Sequence, residues 1–407
     1  MAGIWHPFTQ QRGFEPLGEV VRAEGSWLHL ANGHKVLDGI SSWWVNLHGH
    51  AHPRLAKAIA DQAACFDQVI LADLAHGPAR ELSEALADRL PNPIEHVFFT
   101  DDGSTAVEVA VKMAWQAQRT REPRRHRLLA LDGGYHGDTL GAMSLASQGP
   151  YHTAFKDLLL QVDTVPFDDG DAAEAYVREH GDTLVAAIVE PMVQCAGGMR
   201  VGEPASLRRL ADAVQGAGAL LIADEVAVGF GRTGRMWGFE HAGVTPDLVC
   251  MSKGITGGTL PLGATAATQA IYDSFLGDDK RSAFLHGHSY GGNPIACAVA
   301  LESLRVLDEE QTVARLARIA PVWRDAGLEV LPRVTNVRGL GSIVAFDIEG
   351  GDGYHDPIGR QIQRRAWDRG LYLRPLGDVV YLMPPASITD GELAWAIQVI
   401  KDVFAGL

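Results

Sequence analysis

The sequence predicts an α/β fold: a large domain with a mainly parallel central sheet flanked by helices, and a smaller α+β domain attached. Three features of the 407-residue chain carry that prediction. Short unbroken apolar runs recur through its middle, amphipathic stretches separate them, and the texture changes after about Leu307. Strand and helix alternating along a chain point to a parallel sheet with both faces covered.

The runs HVFF (His96–Phe99), RLLAL (Arg127–Leu131), AAIVEP (Ala186–Pro191), ALLIADEV (Ala219–Val226) and DLVCMS (Asp247–Ser252) read as strands. None alternates apolar with polar residues, so burial on both faces is expected. The clearest helix lies over Thr105–Gln118, where Val107, Ala110, Val111, Ala114 and Trp115 recur at the spacing of one buried face. Thr105 and Glu108 have the spacing of a capping box at its start. Beyond Leu307 strands shorten, arginine becomes commoner and Glu349–Asp356 is a Gly/Asp-rich loop. The expected division is a large domain over 46–306 and a small one built from both termini, 1–45 and 307–407.

Composition narrows the function. With 46% hydrophobic and 21% charged residues the chain is an ordinary globular protein. Lys plus Arg is 35 against 50 for Asp plus Glu, a net charge of −15. Such a surface repels polyanions, so neither nucleic acid nor an anionic membrane is an expected partner. Cys65, Cys195, Cys250 and Cys297 are scattered without a CxxC pair, which suits reduced thiols. The opening MAGIWHPFTQQRGF has no basic stretch followed by an apolar core, and no apolar run approaches the roughly 18 residues of a membrane span. A cytoplasmic location is expected.

Two motifs mislead. Gly229-Phe-Gly231-Arg-Thr-Gly234 matches GxGxxG after a strand, but the adjoining RMWGFEHAGVTPD carries more glycines and a proline and no helical face. A dinucleotide fingerprint must open a helix, so nicotinamide and flavin are not expected. His48-Gly-His50-Ala-His52 would align three imidazoles in a strand, yet glycine and Pro53 favour a turn. Structural histidines are the reading, and no metal is expected.

The chemistry lies at strand ends. Asp224 and Glu225 finish ALLIADEV and Lys253 finishes DLVCMSK, which brings an acid and an amine to one carboxyl edge of neighbouring parallel strands. Gly103 and Ser104 start the best helix, where free N–H groups and the helix dipole make a phosphate site. Gly133-Gly-Tyr135-His136-Gly137-Asp138-Thr139 offers an aromatic ring at the same edge. Phosphate site, aromatic plate, carboxylate and amine are together what pyridoxal phosphate requires. Its pyridine nitrogen must stay protonated, and its aldehyde needs a lysine.

With these residues in place, the chain resembles the class III, fold type I pyridoxal-phosphate aminotransferases over essentially its whole length. The residues that carry the resemblance are GSTAVEVAVK, GGYHGDT, VEPMVQCAGGM, LLIADEVAVGFGRTG and SKGITGG. WHPFTQ, GISSWWVNLHGH, FLHGHSYGGNPIAC and LRPLGDVVYLMPP resemble the subgroup that converts 8-amino-7-oxononanoate to 7,8-diaminononanoate in biotin synthesis. The donor there is S-adenosyl-L-methionine.

The resemblance implies Lys253 as the Schiff-base lysine and proton shuttle, with Asp224 paired to the pyridine nitrogen. Tyr135 and Val226 flank the ring, and Gly103 and Ser104 hold the phosphate. Ser289, with His288 beside it, completes the phosphate site from a second subunit, where Gly287 lines the substrate site; a homodimer is implied. Arg374 grips the substrate carboxylate, Trp43 and Trp44 wall its apolar chain, and Asp138 and Tyr381 make further polar contacts. Phe8 stands where the subgroup commonly has tyrosine, which leaves lysine as an alternative donor. Asp102 replaces a small residue, Cys195 a glycine and His288 a proline. Rival readings are another class III transaminase of ω-amino acids or diamines, an aminomutase or decarboxylase with the same cofactor, and a non-catalytic binding protein.

Overall fold

A computed structural model describes residues 3–146 and 152–406. Its centre is a seven-stranded sheet in the order Ile94–Thr100, Gly263–Thr268, Leu248–Met251, Leu220–Asp224, Leu184–Val189, Arg127–Leu131 and Asp163–Val165. The last five are mutually parallel, and Gly263–Thr268 runs antiparallel to both its neighbours. Every predicted strand is present. Leu184–Val189 and Leu248–Met251 are buried at every residue, as their unbroken apolar runs require. Gly263–Thr268, with sequence GATAAT, is equally buried but carries no long apolar side chain. Composition therefore gives no strand signal there.

The predicted helix runs from Gly103 to Arg121, and its packing face is rotated from the one expected. Val107, Ala110 and Ala114 are buried as expected, with Ala106, Val109, Met113 and Ala117 beside them, whereas Val111 and Trp115 are only part-buried. Small side chains bring this helix close to the sheet, and the Thr265 hydroxyl donates to the Ala106 carbonyl at 2.7 Å. The cap also differs. Asp102 is the N-cap, accepting from the Thr105 N–H at 2.9 Å, while Thr105 Oγ1 accepts from the Asp102 N–H at 3.1 Å. Glu108 instead accepts from Thr139 Oγ1 at 2.6 Å and from the Gly141 N–H at 2.9 Å, fixing the loop after Tyr135. Asp102, the residue out of pattern, supplies the cap a small residue would not.

The two ends of the chain meet in one sheet. Val20–Glu24, Trp27–Leu30 and Lys35–Asp38 form a meander, and Leu371–Tyr372 adds to it parallel to Lys35–Asp38. A three-stranded antiparallel sheet joins Val334–Leu340, Ile343–Ile348 and Val379–Leu382. The helix Pro294–Glu309 carries the chain across residue 307 without a break. Among the described residues no helix is long and apolar enough to cross a membrane.

Candidate active site

Parallel strands place the residues at their carboxyl ends on one edge. Glu190 follows Val189, Asp224 ends its strand, and Lys253 follows Met251 by two residues. Tyr135 lies beyond Leu131, and Gly103 beyond Thr100. These residues converge on a cavity of about 450 Å³ whose lining includes Gly103, Ser104, Tyr135, Asp224, Val226 and Lys253. A second cavity of about 810 Å³ is lined by Phe8, Trp43, Trp44, Arg374 and the 354–363 segment. Trp44, Val45, Tyr135 and Lys253 line both. Lys253 thus stands at the junction of a smaller compartment, where Asp101, Asp102, Glu190 and Asp224 gather, and a larger one walled by Phe8, Trp43 and Trp44.

In the smaller compartment Asp224 is 4% exposed and accepts from His136 Nδ1 at 2.7 Å and from the Val226 N–H at 3.1 Å. Burial opposes protonation of His136, but its bond to Asp224 and the charges of Asp224 and Glu190 outweigh that and raise its pKa. Asp224 is therefore held as an oriented carboxylate with lone pairs to spare. Burial lowers the Lys253 pKa, with Asp224, Cys195, Glu190 and Asp138 pulling the other way. Its backbone sits at φ 39°, and its ammonium lies 5.3 Å from the centre of the Trp44 ring. Among the described residues Lys253 makes no hydrogen bond or ion pair. An amine held this way is available for covalent chemistry.

Asp102 takes up the N–H groups of Thr105, by its side chain, and Ala106, by its carbonyl. Those of Gly103 and Ser104 have no acceptor among the described residues, and both residues line the cavity. A Cβ on Gly103 would stand 2.6 Å from Val226 Cγ1, so this approach needs glycine. Tyr135 is fixed at both ends: its N–H donates to Glu190 Oε1 at 2.9 Å and its hydroxyl to Asp138 Oδ2 at 2.8 Å.

The larger compartment depends on an unusual backbone. Ser41, Ser42, Trp43 and Trp44 all have positive φ, between 46° and 72°, a left-handed turn that costs about 1–2 kcal/mol per L-residue. Side chains repay part of that. Ser41 Oγ donates to the Met383 carbonyl at 2.7 Å, Ser42 Oγ to Asp38 at 2.8 Å, and the Trp44 indole to the Tyr381 hydroxyl at 3.1 Å. The turn presents both adjacent indoles to one cavity. The Arg374 guanidinium stacks 4.7 Å over the Trp43 ring, and Phe8 meets the same ring edge-on at 5.3 Å.

Some predicted residues stand apart. Tyr381 is 1% exposed and backs Trp44 instead of lining the cavity. The Asp138 carboxylate is engaged by Tyr135. Gly287, His288 and Ser289 line neither cavity of their own chain and sit on an exposed loop, where His288 pairs with Asp101 and the Ser289 carbonyl accepts from Gln68 at 2.7 Å. The three motif histidines go to separate partners: His48 to Ser303, His50 to Asp38 and His52 to Glu310. Cys195 is buried, its N–H donating to Glu190 Oε2 at 3.0 Å, and burial pushes its thiol up.

Two polar residues of the site, His136 and Glu190, are given no role by sequence reasoning, and Glu225, named there beside Asp224, lines neither cavity. His136 orients Asp224. Glu190 ties Tyr135 to Cys195, and burial raises its pKa to about 7. Glu225 accepts from the Gly238 and Phe239 N–H groups at 2.9 and 3.0 Å, with its pKa raised by burial to about 8. Glu190 is accessible to the rule that finds Asp224, an acid at the end of a buried run.

Known proteins match this chain in sequence and in fold. The family profile for Aminotransferase class-III matches residues 9–404. A protein of Synechococcus elongatus named adenosylmethionine-8-amino-7-oxononanoate aminotransferase is 46% identical, with 98% of each chain covered. The crystal structure of the enzyme of that name from Methanocaldococcus jannaschii superposes with a TM-score of 0.95 at 32% identity, covering 99% of this chain and 97% of that one. An amine transaminase from an uncultivated Pseudomonas species, solved in its PLP-bound form, gives 0.93 at 31% identity, covering 100% and 99%. Over almost its entire length, the chain belongs to the class III aminotransferase family.

Proposed function

We propose that the protein transfers an amino group to 8-amino-7-oxononanoate, giving 7,8-diaminononanoate, with pyridoxal phosphate as carrier and S-adenosyl-L-methionine as donor. The observation that carries this is Lys253 at the junction of the two compartments, with Asp224 on one side and the Trp43–Arg374 wall on the other. The relatives' names supply the substrate, and the aromatic, arginine-ended cavity suits an apolar chain closed by a carboxylate.

The residues fit the cofactor: an amine with no hydrogen-bond or ion-pair partner and two orphan N–H donors among the described residues, an oriented carboxylate and an aromatic ring held at both ends. When bound, pyridoxal phosphate supplies an electron sink and carries the amino group between substrates. Gly103 and Ser104 hold its phosphate, and Tyr135 and Val226 flank its ring. Asp224, oriented by His136, keeps its nitrogen protonated. Lys253 anchors it and then moves a proton on and off the substrate carbon that bears the amine. Arg374 receives the carboxylate, and Trp43 and Trp44 confine the chain and exclude water. Tyr381 and Asp138 act through Trp44 and Tyr135, and Phe8 supplies an aromatic face without a hydroxyl.

Gly287, His288 and Ser289 serve the site of a second copy, so the active unit is a homodimer. Their exposure supports this, as do the exposed apolar residues around them, Leu285 at 68% and Tyr290 at 61%, with Ile70 at 57% on the segment that Gln68 ties to their loop. The small domain, in this reading, is the unit built from 1–45 and 307–407 that carries the Trp43–Arg374 wall.

The test is a visible absorbance titration of the cofactor-loaded protein with S-adenosyl-L-methionine, and with lysine in parallel, followed by assay of 7,8-diaminononanoate. Bleaching by the first donor and product formation are expected. Bleaching by lysine alone reassigns the donor, a reading that Phe8 favours. A protein that takes up no cofactor refutes the proposal.

A further inference from the structure

GFGRTG resembles a nucleotide fingerprint but makes turns, and its arginine is among the largest fully buried side chains of the molecule. Arg232 is 1% exposed, and no carboxylate touches it among the described residues. Its guanidinium donates to three backbone carbonyls: Pro384 at 2.9 Å, Asn46 at 2.8 Å and Trp44 at 3.3 Å. Nε is buried without a hydrogen-bond partner among the described residues. Burial lowers its pKa to about 10, with Asp38 opposing that shift. A buried cation is costly, so its contacts should accomplish something that an apolar residue could not.

The acceptors show what that is. Trp44 ends the left-handed turn and Asn46 lies just beyond it, while Pro384 comes after the strand whose Tyr381 backs the Trp44 indole. A single guanidinium therefore fastens the turn to the strand behind it. Asp38 holds the same turn from the other side, accepting from Ser42 Oγ at 2.8 Å and from the Ile40 N–H at 3.2 Å. Arg232 itself is anchored where its carbonyl accepts from the Ser342 N–H at 2.8 Å. Its loop begins at Asp224 and Val226, so one stretch of chain runs from the cofactor compartment to the substrate wall.

We propose that Arg232 is a positioning residue for the substrate, holding Trp43 and Trp44 in their strained turn so that the wall of the larger compartment keeps its shape. It touches neither cavity and acts only through the tryptophans. The assignment rests on the transaminase reading above for its kinetic test, and on the fold alone for its spectroscopic one.

The experiment compares Arg232→Met and Arg232→Lys with the wild-type holoenzyme, alone and in a Trp43→Phe/Trp44→Phe background. The expected result is unchanged cofactor absorbance and a KM for 8-amino-7-oxononanoate raised about 10-fold or more, with kcat altered far less. Arg232→Lys, which keeps the charge but not the fork, should fall between. In the double-phenylalanine background the substitution should add little, since both changes act through one wall. Near-ultraviolet circular dichroism should change on Arg232→Met with the tryptophans present and not without them, whatever the substrate. Additive kinetic losses, a dichroism change that survives the phenylalanines, or loss of cofactor or fold in both variants would overturn the proposal. If wild-type enzyme ignored the oxononanoate while the dichroism behaved as expected, the substrate would be wrong and Arg232 right.

Discussion

Replacing Arg374 by alanine separates carboxylate recognition from everything else the large cavity does. The proposed function gives the guanidinium two roles that can be weighed apart. A fork on a carboxylate makes charge-assisted bonds of about 1.5–3 kcal/mol each, discounted here because Arg374 is only half-buried in an open cavity. About 3 kcal/mol for the pair is a reasonable sum, or roughly 100-fold in binding. Its stacking over Trp43 at 4.7 Å adds about 0.5–1 kcal/mol, a few-fold, felt by any ligand that uses that wall. Arg374→Ala should therefore raise the KM for 8-amino-7-oxononanoate about 100-fold or more and weaken the donor only a few-fold. Steady-state kinetics with each substrate varied separately measures both. Arg374→Lys, which restores charge without fork or stacking, should recover part of the acceptor loss. Equal losses for donor and acceptor would refute the assignment and reduce Arg374 to a support for Trp43.

Lys253→Ala should abolish turnover and the visible absorbance of the lysine-linked cofactor while leaving thermal stability nearly unchanged, because the lysine makes no hydrogen bond that folding depends on; retained turnover, assayed by product formation, would sink the mechanism. A second expectation concerns pH. Glu225, at about 8 against an ordinary 4.5, holds its proton in the fold where the unfolded chain has released it. The folded state then binds more protons across that window, so stability falls as pH rises from the unfolded value to the folded one, about 2–3 kcal/mol of it between about pH 6 and 8. Thermal melts between pH 6 and 9 should show that decline, and a smaller one in Glu225→Gln; an unchanged slope in the variant would place the titration elsewhere.

What the sequence reveals and what it hides divide along a physical line. Asp224, Lys253, Gly103 and Tyr135 are legible because each ends or succeeds an element whose type is written in side-chain pattern, and parallel strands send their ends to a common edge. The GATAAT strand is hidden because its burial is achieved with small residues that carry no pattern. The helix face is shifted for the same reason: Val107, Ala110 and Ala114 are buried as their spacing predicts, but Ala106 and Ala117 take the burial that pattern assigns to Val111 and Trp115. Glu108 resembles a cap because the N-terminal signature is shared by any acid three residues after a threonine, and only the fold shows it reaching Thr139.

The paired tryptophans illustrate the deeper difficulty. Adjacent residues in a strand point to opposite faces, and in a right-handed helix they diverge by about 100°, so both patterns argue against two neighbours lining one cavity. The left-handed turn permits it, and no local preference of Ser41, Ser42, Trp43 or Trp44 favours that conformation. It is imposed from Asp38, Tyr381, Met383 and Arg232, residues up to 342 positions away in the chain. A strained wall held from several directions keeps its shape when substrate enters, which is what discrimination between a long keto acid and its competitors requires. The strain that conceals the wall from a reading of local sequence is thus, in the proposed function, the property that lets it select a substrate.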